Sequence, residues 1–237
     1  MQRSISIIIP AYNEEKRLPA TLAAVREYLR RSAWEFAEIV VVDDGSRDRT
    51  VEVARAAGVR VLQNPGNRGK GYGVKHGALE AKGAWVLFTD ADLSAPISEL
   101  EKLWSAVEGG QAQVAIGSRA VDRRLVGVHQ PLAREMVGRF FNLVMRMVTG
   151  LPFQDTQCGF KLIEAAAARQ VFSRQQLDGF GFDVEVLFIA QSLQYRCVEV
   201  AVRWDNVEGT KVSAWRGMLA FLDLLKVRWN GILGKYR

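Results

Sequence analysis

The stretch VLFTDADLSAP (86–96) ends an apolar run abruptly with two aspartates, Asp90 and Asp92. An apolar run bounded by Gly83 and Pro96 is typical of a buried parallel strand whose carboxyl end opens into a loop. Open α/β sheets bind their ligands at this edge. Alternation along an extended chain would point both carboxylates the same way, towards one ion. Such oxygen ligands suit Mg²⁺ or Mn²⁺, although aspartates at a strand end also cap helices.

Composition and charge narrow the class of protein. The chain has 237 residues, 49% hydrophobic and 24% charged, which is enough for one folded α/β domain. A net charge of +6 indicates attraction to an anion, which could be nucleic acid, an acidic membrane or a phosphorylated substrate. Cys158 and Cys197 lack the spacing of a zinc site and fit a reducing compartment. No window holds the roughly 20 uncharged apolar residues of a spanning helix, so we expect any membrane contact to be peripheral.

The first half of the chain alternates predicted strands with predicted helices. The strands are 4–10, 36–44, 59–62, 84–92 and 112–119, and the helices include 50–57, 97–107 and an amphipathic helix carrying Leu18, Leu22, Val25 and Leu29. A glycine-rich segment, NPGNRGKGYGVKHG (64–77), begins a further helix in its second half. This alternation predicts a parallel sheet with right-handed crossovers through about residue 119.

The regular alternation of predicted strands and helices ends after Arg119. A long helix is predicted over 131–151, a strand over 155–163, a helix over 182–193, a strand over 196–204 and a closing amphipathic helix over 215–233. We find no internal repeat and no linker. The sequence therefore predicts a single domain over 1–237, with an alternating strand–helix half (1–119) and a second half (120–237) that carries amphipathic helices.

Polar clusters follow three of the predicted strands. PAYNEE (10–15) follows the first, DDGS (43–46) the second and DADLS (90–94) the fourth. Because carboxyl ends of parallel strands meet at one edge, the clusters predict one polar ligand site, with Asp43 or Asp44 on a base or ribose and Tyr12 stacked on the base. Carboxylates would repel a phosphorylated ligand unless a cation intervened, which favours the metal interpretation of Asp90 and Asp92.

The glycine-rich segment is neither a dinucleotide fingerprint nor a P-loop. It follows the third strand rather than the first, and Gly71 and Tyr72 stand after Lys70 where a P-loop has Ser or Thr. Two interpretations stay open at this point: a turn with close helix packing, or a loop whose backbone or Lys70 contacts a nucleotide.

These motifs together carry a family resemblance. IIIPAYNEE (7–15), VVDDGS (41–46), DAD (90–92) and GSR (117–119) resemble family 2 inverting glycosyltransferases of the GT-A fold. DTQCGFKL (155–162), FDVEVLFIAQ (182–191) and VEGTKVS (207–213) are similar to the polyprenyl-phosphate branch, especially dolichyl-phosphate β-glucosyltransferases. The implied fold is GT-A, a Rossmann-like, mostly parallel sheet with flanking helices and a carboxyl-terminal acceptor-side extension.

The resemblance implies a metal-dependent transferase that moves a hexose from a nucleotide sugar to a polyprenyl or dolichyl phosphate. Glucose from UDP-glucose is favoured, and Mg²⁺ or Mn²⁺ is expected on Asp90 and Asp92. The residues expected to bind the nucleotide sugar are Pro10, Ala11, Tyr12, Asn13, Glu14, Asp43, Asp44, Gly45, Ser46, Lys70, Asp90, Ala91 and Asp183. Lys211 matches a lysine that could cover the pyrophosphate, and Asp90, Asp92, Arg119, Arg134 and Lys211 form the expected catalytic set.

The acceptor chemistry points to arginines. A phosphate monoester is already an oxyanion near pH 7, so its attack needs positioning and no general base. Arg119, Arg134 and Arg139 offer planar bidentate donors, and the resemblance places the first two on the acceptor phosphate, although a solvated basic face would look the same. The chain departs from mannosyltransferase relatives at Gly138, where they carry a serine, and at Asn206, where they carry an arginine that Arg203 could replace.

The expected partners follow from this chemistry. They are a nucleotide sugar, a polyprenyl-phosphate lipid and an anionic membrane surface contacted peripherally from the cytoplasmic side, with no nucleic acid and with a membrane-protein partner left open. Basic residues Lys226, Arg228, Lys235 and Arg237 beside apolar ones in the closing helix suit an interfacial helix, although such a face could also pack on the core. Two rival functions remain: GDP-mannose as donor, and a nucleotide-sugar-binding membrane-associated subunit without turnover.

Overall fold

A computed structural model describes residues 3–128, 132–207 and 214–237, with side chains described for 3–128, 136–207 and 221–237. Its strands are β1 (Ser4–Ala11), β2 (Phe36–Asp43), β3 (Arg60–Gln63), β4 (Trp85–Thr89), β5 (Val114–Ser118), β6 (Phe160–Glu164) and β7 (Cys197–Ala201). Its helices are α1 (Leu18–Arg31), α2 (Thr50–Ala56), α3 (Lys70–Leu79), α4 (Leu100–Val107), α5 (Leu132–Thr149), α6 (Ala165–Arg174), α7 (Phe182–Ser192) and α8 (Ala214–Ile232).

The described strands form one seven-stranded sheet in the order β3-β2-β1-β4-β6-β5-β7. All neighbours pair in parallel except β6, which is antiparallel to β4 and to β5. The chain order reverses between β1 and β4, which creates the crevice in which open α/β sheets bind ligands. The mostly parallel sheet with flanking helices that the sequence predicted is confirmed.

The core occupies both faces of the sheet because apolar residues run continuously along the central strands. Along β1, Ile7 and Ile9 belong to the cluster beneath α1 and α4, whereas Ile8 belongs to the cluster that includes α3, α5, α6, α7 and α8. All three isoleucines are completely buried. Burial on two faces is the property of a parallel sheet covered by crossover helices, and it holds the loops at the carboxyl edge in fixed positions.

Two predicted strands differ from the structure, and one helix was not predicted. β4 ends at Thr89, so the predicted strand over 84–92 was too long at its carboxyl end. β6 begins at Phe160, five residues after the predicted start at 155, because 155–159 form a turn and irregular chain before the strand. Helix α6, AAAARQVFSR (165–174), was missed, although its alanine-rich composition favours a helix and its buried residues pack into the core.

Candidate functional site

Asp90 and Asp92 lie in a turn directly after β4, at the crevice between β4 and β1. The alternation expected of an extended chain was therefore the wrong reason for placing them together. The turn is held from two sides: the Thr21 hydroxyl of α1 donates to the Ala91 carbonyl at 2.5 Å, and the Gly159 backbone lies so close that a Cβ there would collide with the Asp90 carboxylate. These contacts fix the carboxylates at the sheet edge.

Lys70 is the cation that faces Asp90. It is the first residue of α3, and its Nζ lies 2.6 Å from Asp90 Oδ1. Burial alone would lower the pKa of the Lys70 ammonium, but the carboxylates of Asp90 and Asp183 more than offset burial and hold that pKa above its ordinary value. Lys70 is therefore charged at physiological pH and lies within the acidic cluster.

Among the described residues, the negative charge of Asp92 is not balanced by a lysine as that of Asp90 is. Its Oδ1 accepts a hydrogen bond from the Ser94 backbone N–H at 3.0 Å, and within the described part of the chain its carboxylate forms no ion pair. Burial raises the pKa of Asp92, and the negative charge of Asp90 raises it further. The pair of aspartates thus carries one more negative charge than Lys70 neutralises, which is an arrangement that attracts a second cation.

The second polar cluster ties two loops together. Asp44 Oδ1 accepts from Asn64 Nδ2 and from the Arg68 backbone N–H, and Asp44 Oδ2 accepts from the Gly69 backbone N–H, at 2.8 to 3.0 Å. Asp43, almost completely buried, accepts from the Ser46 backbone N–H at 3.3 Å. Asp44 therefore holds the glycine-rich loop against β2 and positions the start of α3, which carries Lys70.

The first polar cluster packs on the second. The Asn13 backbone N–H donates to Ser46 Oγ at 2.9 Å, and Asn13 Oδ1 accepts from the Arg47 backbone N–H at 2.8 Å. Glu14 binds Arg17 through two hydrogen bonds of 2.6 and 2.7 Å. The carboxylates of Asp92 and Asp90 also help raise the pKa of Arg17, after the hydrogen bond and charge of Glu14. The structure thus brings residues 10–14, 43–46 and 90–92 to one edge, with Pro10, Tyr12 and Gly45 partly exposed there and Ala11 buried at the end of β1.

Asp183 lies at the amino-terminal end of α7 and is buried against a lysine. Lys161 of β6 is fully buried, and its Nζ donates to Asp183 Oδ1 and, at 2.7 Å, to the Cys158 carbonyl. Its ammonium lies 5.0 Å from the centre of the Phe88 ring. A buried carboxylate bound by a buried ammonium is held in one orientation, and this geometry gives no support to a role in proton transfer.

Arg119, at the end of β5, is held by Asp155. Its Nε and Nη2 donate to the two Asp155 oxygens at 2.6 and 2.7 Å, and its backbone N–H donates to Oδ2 at 3.0 Å. The guanidinium also lies 5.3 Å from the centre of the Trp204 ring. Burial opposes ionisation of Asp155, but Arg119 outweighs it and lowers the pKa of that carboxyl. The Arg119 side chain is 28% exposed, so part of the guanidinium remains open to a ligand.

The remaining predicted cations are less fully described. Arg139 is exposed on α5, and Arg134 belongs to the same helix but its side chain lies outside the described residues. Lys211 also lies outside them. Arg203 donates from Nε to Asp205 Oδ2 at 3.1 Å and is mostly exposed.

Two residues of the site were not singled out from the sequence. Lys161 could have been found, because a lysine in the otherwise apolar run CGFKLI (158–163) needs a buried partner. Arg17 had no such signal, since a basic residue at the start of an amphipathic helix is ordinary.

The donor set fits one mode of metal binding. No group of three His, Cys, Asp or Glu able to hold a metal ion occurs among the described residues, so the chain there offers at most the two aspartates. Mg²⁺ is commonly held by one or two carboxylates with substrate phosphates and water. Asp90 and Asp92, with their excess negative charge, fit a cation that arrives with a diphosphate.

A second surface lies on α5 and α8. Met136, Val137, Phe140, Leu143 and Met147 of α5, with Leu222, Leu225, Trp229, Ile232 and Leu233 at α8, are 47 to 69% exposed. We call these ten residues the apolar face. The two helices pack together through Phe221, whose ring centre lies 5.1 Å from that of Phe141 and 6.0 Å from that of Phe140. Over the described part of the chain, no helix has the length and hydrophobicity needed to cross a bilayer.

Comparison with known proteins gives concordant matches. The model of glycosyl transferase family 2 matches residues 6–172. A dolichyl-phosphate beta-glucosyltransferase from Mus musculus is 34% identical over 252 residues, covering 99% of this chain and 78% of the relative. The enzyme of that name from Drosophila melanogaster is 35% identical over 250 residues, covering 98% and 77%. Glucosyl-3-phosphoglycerate synthase from Mycobacterium tuberculosis, crystallised with Mn²⁺ and UDP-glucose, has a TM-score of 0.70 at 20% identity, covering 96% of this chain and 79% of that one.

The Arg119–Asp155 pair generates a stability prediction. Asp155→Asn leaves a largely buried guanidinium without its carboxylate, so we expect the free energy of unfolding at pH 7 to fall by about 2 to 4 kcal/mol. Because the pKa of Asp155 is lowered in the folded protein, its contribution is present above the ordinary pKa of about 3.9 and is lost as the pH falls below it. Urea denaturation at several pH values measures both effects.

The matched control is Asp122→Asn, which removes a carboxylate from an exposed pair with Arg124. An exposed pair contributes little, so this variant should unfold close to the wild type. Equal destabilisation by the two substitutions, or a loss in Asp155→Asn that does not shrink towards low pH, would contradict the assignment of Asp155.

Proposed function

The chain belongs to glycosyl transferase family 2, and from this membership we propose that it transfers glucose from UDP-glucose to a polyprenyl phosphate such as dolichyl phosphate. The observation that carries the proposal is the pair Asp90 and Asp92 at the switch point of a GT-A sheet, with more negative charge than Lys70 neutralises. The resemblance drawn from the motifs is confirmed by the family match. We propose that the whole chain forms one catalytic domain.

The donor would bind across the ends of β1, β2 and β4. Residues 10–14 and 43–46 line this edge, and their hydrogen bonds to one another hold it rigid before a ligand arrives. Asp44 already accepts three internal hydrogen bonds, so among the two aspartates Asp43 is better placed to accept from a base or ribose. Support for glucose comes from the names of the relatives, and support for UDP-glucose comes from the ligand of the mycobacterial structure.

Asp90 and Asp92 would hold Mg²⁺ or Mn²⁺ on the donor diphosphate. A divalent cation there stabilises the negative charge that develops on the leaving nucleoside diphosphate. Lys70 and Arg17 add positive charge on the protein side of the same cluster. We propose that Asp183, held by Lys161, accepts hydrogen bonds from sugar hydroxyls. It is not needed as a base, because the acceptor phosphate is already ionised.

The acceptor phosphate would meet the arginines on the other side of the crevice. Arg119 is anchored by Asp155 through Nε and Nη2, which fixes the orientation of the guanidinium. An anchored arginine binds a phosphate at a lower entropic cost than a free one. We propose Arg119 as one acceptor-phosphate ligand, with Arg134 as a second on the resemblance and Arg139 as a third on its chemistry. Lys211 is retained, on the resemblance, as the cation that covers the pyrophosphate.

The apolar face would rest on the membrane that holds the lipid acceptor. On each helix the exposed apolar residues recur at helical spacing, while Phe141 and Met145 of α5 and Leu224 and Val227 of α8 are buried in the opposite direction. Exposed basic residues border the face: Arg139, Arg146, Lys226, Arg228, Lys235 and Arg237. An apolar face with a basic rim matches an anionic bilayer surface, which we propose as its occupant on the cytoplasmic side.

A transfer assay tests the proposed reaction. Purified protein with MnCl₂, dolichyl or another polyprenyl phosphate and radiolabelled UDP-glucose should place label in an organic-extractable lipid that mild acid cleaves. The same assay with GDP-mannose should give little label. Label from GDP-mannose alone would replace glucose with mannose, and the absence of label with both donors and several acceptor lengths would overturn the transferase proposal.

The variant for this assay is Asp92→Ala, with Glu108→Ala as its control. Loss of a cation ligand at a developing charge should lower kcat/KM by about 100-fold or more. Glu108 is exposed immediately after α4 and pairs with Arg3, away from the crevice, so its replacement should leave transfer unchanged. Full activity of a folded Asp92→Ala variant, judged by circular dichroism, would remove Asp92 from the metal site.

Flotation with liposomes tests the membrane contact. The double substitution Leu225→Ser and Trp229→Ser removes two exposed apolar side chains from α8, so it should reduce flotation with phosphatidylserine-containing vesicles several-fold. Leu79→Ser removes an exposed apolar side chain at the end of α3 and is the matched control. Equal flotation of the α8 variant and the wild type would show that the apolar face does not bind membranes.

A further inference from the structure

Lys70 lies against Asp90, a position that affects how a divalent cation and a nucleotide bind. The ammonium lies 2.6 Å from Asp90 Oδ1, a distance at which it occupies one of that oxygen's acceptor positions. The Lys70 side chain is 19% exposed and also lies 5.9 Å from the centre of the Phe182 ring, so it is enclosed rather than free in solvent. A divalent cation bound to Asp90 would therefore lie close to a second positive charge.

Two cations at one carboxylate repel each other strongly where water is partly excluded. The burial and shared negative charge of Asp90 and Asp92 make this a site of that kind. In the absence of another anion, Lys70 has no better partner than Asp90, because Asp183 is already bound by Lys161. Lys70 thus weakens the binding of a free metal ion.

A diphosphate would offer Lys70 a second anion and so would change its contact with Asp90. Lys70 is the first residue of α3, where the dipole of the helix favours a nearby negative charge. The lysine side chain has a flexible four-carbon stem, so its ammonium can move from a carboxylate to a nearby phosphate oxygen while α3 stays in place. An arriving diphosphate would then free Asp90 and supply the remaining metal ligands at once.

We propose that Lys70 occupies Asp90 until a nucleoside diphosphate accepts its ammonium, so that the divalent cation and the nucleotide bind cooperatively and the cation alone binds weakly. This inference rests on the proposed function, since it takes the donor diphosphate and the cation as ligands of the site. It assigns Lys70 a positioning role that a simple phosphate contact would lack: removing the lysine should strengthen the binding of the metal alone.

The test is a titration of the full chain with MnCl₂, followed by electron paramagnetic resonance of free Mn²⁺, without and with UDP. In the wild type, UDP should lower the Kd for Mn²⁺ many-fold, and Mn²⁺ must lower the Kd for UDP by the same factor. Lys70→Gln should lower the Kd for Mn²⁺ alone by about ten-fold and reduce the cooperativity with UDP. Circular dichroism confirms that each variant is folded.

Two further variants test whether the change in the Kd for Mn²⁺ depends on the positive charge at position 70. Lys70→Arg keeps the charge, so its Kd for Mn²⁺ alone should stay near that of the wild type. Lys75→Gln removes the same charge one turn further along α3, where Nζ donates to the Gln175 carbonyl at 2.8 Å, and should not strengthen Mn²⁺ binding.

The outcomes separate this inference from the proposed function. If the wild type binds Mn²⁺ with UDP but Lys70→Gln binds Mn²⁺ alone no more tightly than the wild type, the role of Lys70 is refuted while the transferase proposal stands. If Lys75→Gln strengthens Mn²⁺ binding as much as Lys70→Gln does, the effect is one of net charge and the inference fails. If the wild type binds no Mn²⁺ even with UDP, both proposals fall.

Discussion

Compensation of negative charge at the carboxyl edge of the sheet is the constraint on which the site depends. Asp90, Asp155 and Asp183 meet there with a lysine or arginine each: Lys70, Arg119 and Lys161. Breaking a buried pair of this kind is costly, so each pair locks the elements it joins. Asp92, without an ion pair among the described residues, carries the charge left for a ligand cation. The pairs that stabilise the fold therefore leave one carboxylate, that of Asp92, whose negative charge no ion pair among the described residues neutralises.

The antiparallel strand β6 makes this compensation possible. It lies between β4 and β5, so it brings Lys161 beside Phe88 of β4 and Gly159 beside Asp90. The turn before it delivers Asp155 to Arg119 at the end of β5. A chain that left β5 next to β4 would provide neither contact. The second half of the chain thus contributes β6 and β7 to the sheet whose edge carries the candidate site, and α5 and α8 carry the apolar face.

The sequence was sufficient for the fold class because the apolar runs and their spacing determine buried strands and crossover helices. It also located the three polar clusters, since each directly follows a predicted strand. It could not pair the charges: Lys161 meets Asp183 only because β6 and α7 pack together, and Arg119 meets Asp155 across 36 positions of sequence. Helix α6 could have been found, since its buried residues Ala165, Ala168 and Phe172 recur at helical spacing. Arg17 could not, because its contact with the cluster depends on how α1 packs.

The central claim is that no carboxylate of the site attacks the sugar and that the acceptor phosphate attacks it directly. Among the described residues, Asp183 and Asp155 are each bound to a lysine or an arginine, and we propose that Asp90 and Asp92 hold the cation on the leaving group. On this proposal, none of these four carboxylates is available as the nucleophile for a covalent glucosyl intermediate. Direct displacement on α-configured UDP-glucose inverts the anomeric carbon. Nuclear magnetic resonance of the glucosyl lipid product measures this configuration. A β-linked product is the predicted result, and an α-linked product would contradict the claim.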